Sequence, residues 1–273
     1  MATATTATAK KEGSGSSIFA SLTIVICIVI GFLLWKFVMG NSANFQGGDP
    51  EGHPLPGNYF GMVYKGGFIV PILMGMLLMV IVFSIERFIV INKAAGSGSV
   101  DVFVKKIQGF LSAGNIEAAM AECDKQKGSV ANVIKSGLKK YREVETDSRM
   151  DSEQASLAIQ KDIEEATALE MPMLEQNLTV IATLVSIGTL SGLLGTVSGM
   201  IKAFAGLATA GAPDQAQLAN GISEALINTA VGILTSAVAI IMYNVFTSKI
   251  DQLTYSIDEA GFSIVQTYAS THK

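Results

Sequence analysis

Charge is scarce in this chain. Asp, Glu, Lys and Arg fill 15% of its 273 positions, against about 25% in ordinary soluble domains. A water-facing surface over the whole chain is therefore excluded. Cysteine is nearly absent. Cys27 lies in an apolar run and Cys123 in a charged segment, so the two do not pair, and no cluster of Cys and His is present to hold zinc. His53 and His272 fall in a loop and near the C-terminus, both solvated positions. A net charge of -4 supplies no basic field for nucleic acid. No nucleophile–base pair or phosphate-binding loop is visible, and the GSGS runs at 13–16 and 96–99 have no strand before them. Neither an enzyme nor a bound metal or cofactor is expected.

What the chain has instead is long apolar runs. A helix needs ~20 apolar residues to cross the hydrocarbon core. Four windows meet that length: 18–39, 68–92, 178 to about 207, and 221 to about 246. The reading is an all-α polytopic membrane protein with four transmembrane helices and long helices extending beyond the membrane. The last two spans are richer in Gly, Ala, Ser and Thr, as expected of helices packed against protein. The first two, rich in Ile, Val, Leu, Met and Phe, suit lipid. The apolar core of the first span exceeds the 7–15 residues of a signal peptide, so it is expected to stay as an anchor.

Lys and Arg collect in loops on the cytoplasmic side. Residues 93–176 carry eleven of them, from Lys93 to Lys161, and 208–220 carry none. This gives a cytoplasmic tail at 1–17, expected to be disordered, a span at 18–39 and an irregular, Gly- and Pro-rich outer loop at 40–67. A span at 68–92 follows, then a cytoplasmic helical segment at 93–176. A helix pair occupies 177–248, and a cytoplasmic C-terminal helix 249–273. Both termini are cytoplasmic. Lys65 dissents in the outer loop. Lys36 and Lys202, near outer ends, are expected to snorkel.

Within 93–176, Val102, Phe103, Ile107 and Phe110 are expected on one helix face, a second helix is expected to start at Asn115–Glu117, and Val130, Val133, Ile134 and Leu138 mark a third face. From Ser152 one long helix is expected to run into the third span, with Pro172 as a kink near the membrane surface.

The two small-residue spans carry the polar groups. At ~100° per residue, Thr189, Gly192, Thr196 and Gly199 share a face, and Gly188, Gly192, Gly195 and Gly199 form two GxxxG spacings. Such spacings mark close helix packing. In the fourth span Glu224, Asn228, Gly232 and Thr235 share one face, with Thr229 and Ser236 on another. Two polar stripes result, which need not line the same surface. An ionised group inside the bilayer costs roughly 3 kcal/mol and is read as functional by default. For Glu224 two readings stand: a group on a polar route, or one at the outer boundary, a few residues after the loop.

Several of these segments occur together in one known family. GLLGTVSGM at 192–200, GISEALINTAVGI at 221–233 and YNVF at 243–246 resemble the MotA/TolQ/ExbB proton channel family. So do IERFIVI at 85–91 and the stretch from Gly114 to Leu138. The resemblance covers about residues 65–255 and is nearest the ExbB and TolQ branch. It implies three family spans behind one extra N-terminal span, no enzymatic activity, and residence in a bacterial inner membrane. It also implies five copies around two single-span ExbD- or TolR-like subunits, themselves working with a TonB-like protein. The partner's intramembrane Asp would carry the proton. Thr196 and Thr229 would surround it, with Glu224 as the family's intramembrane carboxylate in conduction or assembly. Thr189, Gly192, Gly195, Gly199 and Asn228 would pack helices or add secondary polarity. Thr189 and Ser186 leave sodium open as the coupling ion. The chain departs from the family at its front, where 18–39 and 40–67 are additional. Where the family often has Ala-Pro, it has Gly188-Thr189-Leu190-Ser191, so a kink expected there is missing.

Overall fold

The structure, a computed structural model, describes residues 13–146, 150–209 and 215–272, with side chains other than those of 13–17, 206–209 and 215–217. The described residues are helical and contain no strand. Phe45 and Pro54 form an isolated bridge. In chain order the helices are α1 (Gly13–Leu33), α2 (Tyr59–Tyr64), α3 (Ile69–Ala95), α4 (Val100–Ser112), α5 (Ile116–Gln126), α6 (Gly128–Thr146), α7 (Ser152–Glu175), α8 (Leu178–Thr209) and α9 (Gln215–Thr271). Four helical segments are long and apolar enough to cross a membrane, in the order the hydropathy predicts. Residues 1–12 of the expected tail lie outside the described residues; 13–17 already belong to α1.

The chain divides into two compact units: residues 1–82 with 180–240, and residues 83–179 with 241–273. In the first, α1 continues as a short π-helical stretch, Leu34–Met39. It packs on α3 through glycine: a Cβ on Gly75 would lie 3.0 Å from Ile28 Cα. The backbones touch there, as small residues permit. The segment at 40–67 is irregular but ordered. The Asn44 amide donates to the carbonyls of Val38 (2.8 Å) and Met39 (2.9 Å), and Asn58 donates to Asn44 Oδ1 at 3.0 Å. Trp35 stacks on Tyr64 with ring centroids 4.7 Å apart and donates to its carbonyl.

The second unit holds α4–α7, the end of α3, the start of α8 and the second part of α9. Its core follows amphipathic spacing, with one correction. On α4 the buried face is Phe103, Val104, Ile107 and Leu111, whereas Val102 is exposed. The face is one residue further round than expected. Asn115 caps α5 by accepting from the Ala118 N–H, and Val130, Val133, Ile134 and Leu138 are all buried on α6. α7 starts at Ser152, as expected, and Asp151 is its N-cap: the Asp151 carboxylate accepts from the Gln154 N–H at 2.7 Å, the usual N-cap service. Lys106 and Lys125 hold the Glu122 carboxyl below the usual carboxylate range, Lys106 chiefly through a 2.7 Å hydrogen bond.

The expected single helix from Ser152 into the third span is two helices. Pro172 lacks an N–H to donate back along the helix, yet α7 continues past it to Glu175. The break comes at Gln176, which is extended, and Asn177, at φ +64°. Asn tolerates that left-handed conformation better than most residues. Arg87 explains the position. It is buried, and its Nη1 donates to the carbonyls of Met173 (3.0 Å) and Leu174 (3.1 Å). Its Nε and Nη2 donate to the Glu86 carboxylate. A guanidinium thus takes carbonyls at the α7 C-terminus that a continuing helix would have satisfied internally. By contrast, α8 runs unbroken through Gly188–Ser191.

Candidate functional site

The polar residues of the last two spans meet where α8 lies against α9 in the first unit. Glycine sets the distance. A Cβ on Gly192 would lie 3.0 Å from the Asn228 carbonyl oxygen and 3.1 Å from Gly232 Cα, and one on Gly199 would lie 2.8 Å from the Gly221 carbonyl oxygen. A Cβ on Gly195 would run into the Asn228 side chain, with Cγ at 2.6 Å. At Gly192 and Gly199 the backbones of α8 and α9 come into close contact, which small residues permit.

Close backbones bring short hydroxyls into reach across the seam. Thr189 Oγ1 donates to Ser236 Oγ at 2.8 Å. Two turns along, the hydroxyls of Thr196 and Thr229 are hydrogen-bonded to each other. Carbonyls surround this pair: Gly192 O lies 3.2 Å from Thr196 Oγ1, and Ala225 O lies 3.4 Å from Thr196 Oγ1 and 3.2 Å from Thr229 Oγ1. Each threonine owns one O–H and two lone pairs. If Thr196 donates to Thr229, the Thr229 proton is left for Ala225 O. In the opposite sense, the Thr196 proton goes to Gly192 O or Ala225 O. Either way both protons are committed, while acceptor capacity remains. Both residues are half-buried, so this polar edge opens to the surface of the unit.

Glu224 and Asn228 lie outside this hydroxyl pair. Lys202 Nζ donates to Glu224 Oε1 at 2.6 Å. Gly67 sits directly against the carboxylate, at φ +78°, and a Cβ there would collide with it. The backbone conformation there favours glycine, and a Cβ would displace the Glu224 carboxylate. Asn228 is fully buried and donates from Nδ2 to Gly66 O at 2.9 Å; its Oδ1 has no donor among the described residues. The stripes expected on α9 are thus redistributed. Glu224 and Asn228 touch both α8, through Lys202 and Gly195, and the link before α3, through Gly67 and Gly66, while Thr229, Gly232 and Ser236 face α8 alone. Thr235 donates to its own Val231 carbonyl. Among the described residues no group of three or more His, Cys, Asp or Glu could hold a metal ion.

Sequence reasoning passed over two partners. Lys202 was expected only to snorkel, yet it neutralises Glu224. Arg87 entered only as part of IERFIVI; a lone guanidinium in an apolar run was the available signal that it serves a buried partner.

These features define a class: a polytopic, all-helical membrane protein with a glycine-packed, hydroxyl-bearing helix pair. The family follows from comparison. Residues 125–259 match the model of the MotA/TolQ/ExbB proton channel family, and the chain belongs to that family. The Tol-Pal system protein TolQ of Pseudomonas aeruginosa is similar, at 26% identity over 124 residues. That alignment covers 45% of this chain and 54% of the relative, about half its length. The first span, the loop at 40–67 and the whole of α3 and α4 precede the matched region.

Proposed function

We propose that this chain is an ExbB-like subunit of a bacterial inner-membrane motor that couples proton motive force to TonB-dependent outer-membrane transport. The observation that carries the reading is the Thr196–Thr229 hydroxyl pair, held across the α8–α9 seam and half open to its surface. Five copies would surround a pair of single-span ExbD-like subunits, which in turn engage a TonB-like protein. The loop at 40–67 would lie outside. Residues 93–176, 249–273 and both termini would be cytoplasmic, in keeping with the Lys and Arg placement.

In this arrangement the threonines face a carboxyl group on the partner. Threonine stays neutral throughout, so it binds the carboxyl without trapping a proton. The spare lone pairs accept from the protonated acid. When the acid ionises, a hydroxyl releases its carbonyl and donates to the carboxylate instead. Each elementary charge crossing 100 mV supplies about 2.3 kcal/mol, available to move the partner against the ring. Thr189 and Ser236 extend the hydroxyl track, and the Glu224–Lys202 pair stands at its outer end, where it orders the start of α9.

A second reading, a TolQ-like stator for envelope integrity, is favoured by the similarity to TolQ. Native mass spectrometry of the complex, purified in mild detergent from cells that also express the neighbouring genes, tests the shared core of both. Five copies with two of a small single-span protein are expected. A monomer or dimer with no such companion would reduce the polar residues to helix packing in a membrane scaffold. Growth on a nutrient that needs TonB-dependent uptake then separates the two readings: a deletion strain fails to grow under the first and grows under the second.

A further inference from the structure

The second unit carries a cavity of about 240 Å³ where α3 ends, α4 begins and α9 leaves its apolar run. Its lining is chemically mixed. Ile91 and Leu253 supply an apolar wall, and Asn92, Asp101, Lys249 and Gln252 supply polar groups. Lys249 Nζ lies 5.0 Å from the centroid of the Phe88 ring, and among the described residues no carboxylate stands within ion-pairing distance of it. Phe88 is itself more than half exposed, as are Ile85 and Ile89 on the same helix. An unneutralised ammonium therefore sits where an exposed apolar helix surface gives way to a polar pocket. Lys249 follows the last apolar span by three residues and Asn92 closes the second, which sets this pocket at headgroup depth.

We propose that the pocket binds the headgroup of a phospholipid bearing a primary amine, phosphatidylethanolamine. Lys249 receives the phosphate, helped by the amide N–H groups of Asn92 and Gln252. Asp101 receives the ammonium. One acyl chain lies along Ile85, Phe88 and Ile89. Pocket and headgroup each carry one positive and one negative charge, so the match is charge for charge. A choline headgroup has no N–H to donate to Asp101, and a glycerol headgroup has no cation. Basic pockets beside membrane helices are known places of lipid recognition. The site is separate from the proposed ion-coupling residues and stands or falls without them.

The test is native mass spectrometry of the purified complex, delipidated and then exposed to equal amounts of phosphatidylethanolamine, phosphatidylglycerol and phosphatidylcholine. Phosphatidylethanolamine should be retained at least fivefold over the other two. Lys249→Gln should abolish retention and Lys249→Arg restore it, while Asp101→Asn should remove the preference over phosphatidylglycerol. Asp101→Glu, which keeps the charge, should leave it in place. Equal retention of all three lipids, or unchanged adducts in Lys249→Gln, would overturn the proposal. So would displacement of the lipid by millimolar inorganic phosphate, which would mark the pocket as a site for a free anion.

Discussion

Lys202 and Glu224 form an ion pair whose two ends differ in environment: the glutamate side chain is 14% exposed and the lysine 57%. The carboxylate is thus drawn in against Gly67 while the ammonium remains at the surface. Water and headgroups screen a pair of this kind, and its coupling should be about 1 kcal/mol. A double-mutant cycle over Lys202→Met and Glu224→Gln, read by thermal unfolding in detergent, measures it. Strict additivity of the two substitutions would show that Lys202 is not the partner that matters.

The α8–α9 seam makes a sharper prediction. A Cβ on Gly232 would lie 2.7 Å from the Gly188 carbonyl oxygen and 2.8 Å from Gly192 Cα, both backbone atoms without freedom to swing aside. Gly232→Ala should therefore cost about 1–3 kcal/mol, as overpacking does. Gly109, exposed on α4, has nothing within 4 Å of the equivalent position. Gly109→Ala should add about 0.5–1 kcal/mol through helix propensity alone. Opposite shifts in unfolding temperature are expected from the same chemical change.

Arg87 ties α3 to the end of α7. Arg87→Met strands the Met173 and Leu174 carbonyls together with the Glu86 carboxylate, and should cost about 3–5 kcal/mol, as losing one partner of a buried charged pair does. Arg87→Lys keeps the charge but not the fork of donors, so it should recover only part of that. Full stability of Arg87→Met would mean that the break at Asn177 holds by itself.

Burial pushes the Cys123 thiol up to about 12, from an ordinary value of 9.0. At pH 8 the folded protein should resist iodoacetamide at this residue and react fully only once denatured, since the thiolate is the nucleophile. The linkage has a definite sign. Above about pH 9 the unfolded chain releases this proton and the folded one keeps it, so stability falls as pH rises from 9 towards 12. Cys123→Ala should flatten that decline.

Much of this was legible in residue order. Apolar length alone placed four spans, because burial in lipid demands about 20 residues whatever the neighbours. Glycine spacing placed the seam, since Gly192 and Gly199 recur at the period that one helix face requires. What stayed hidden depended on residues far apart in the chain. A continuous helix was expected, kinked at Pro172 by a local signal, but the chain breaks at Asn177, where Arg87, some ninety residues earlier, supplies the capping donors. Glu224 was visible as a carboxylate out of place, but its partner Lys202 lies on the other side of a loop. Spacing put Thr196 and Thr229 on their respective helices; only the rotation of α8 against α9 put one hydroxyl on the other. The shift from Val102 to Val104 and Leu111 on α4 has the same origin, because neighbouring helices choose which edge of an apolar stripe is covered.

The measurement closest to the central claim is proton-coupled activity of Thr229→Val and Thr196→Val, assayed as energised outer-membrane uptake beside native mass spectrometry of each complex. Valine matches threonine in shape and removes only the hydroxyl, so the subunit composition should be that of the unsubstituted protein. Activity should fall at least tenfold in each variant, and Thr229→Ser should retain much of it. Intact complexes with normal proton-coupled activity in Thr229→Val would contradict the account and return the hydroxyl pair to helix packing.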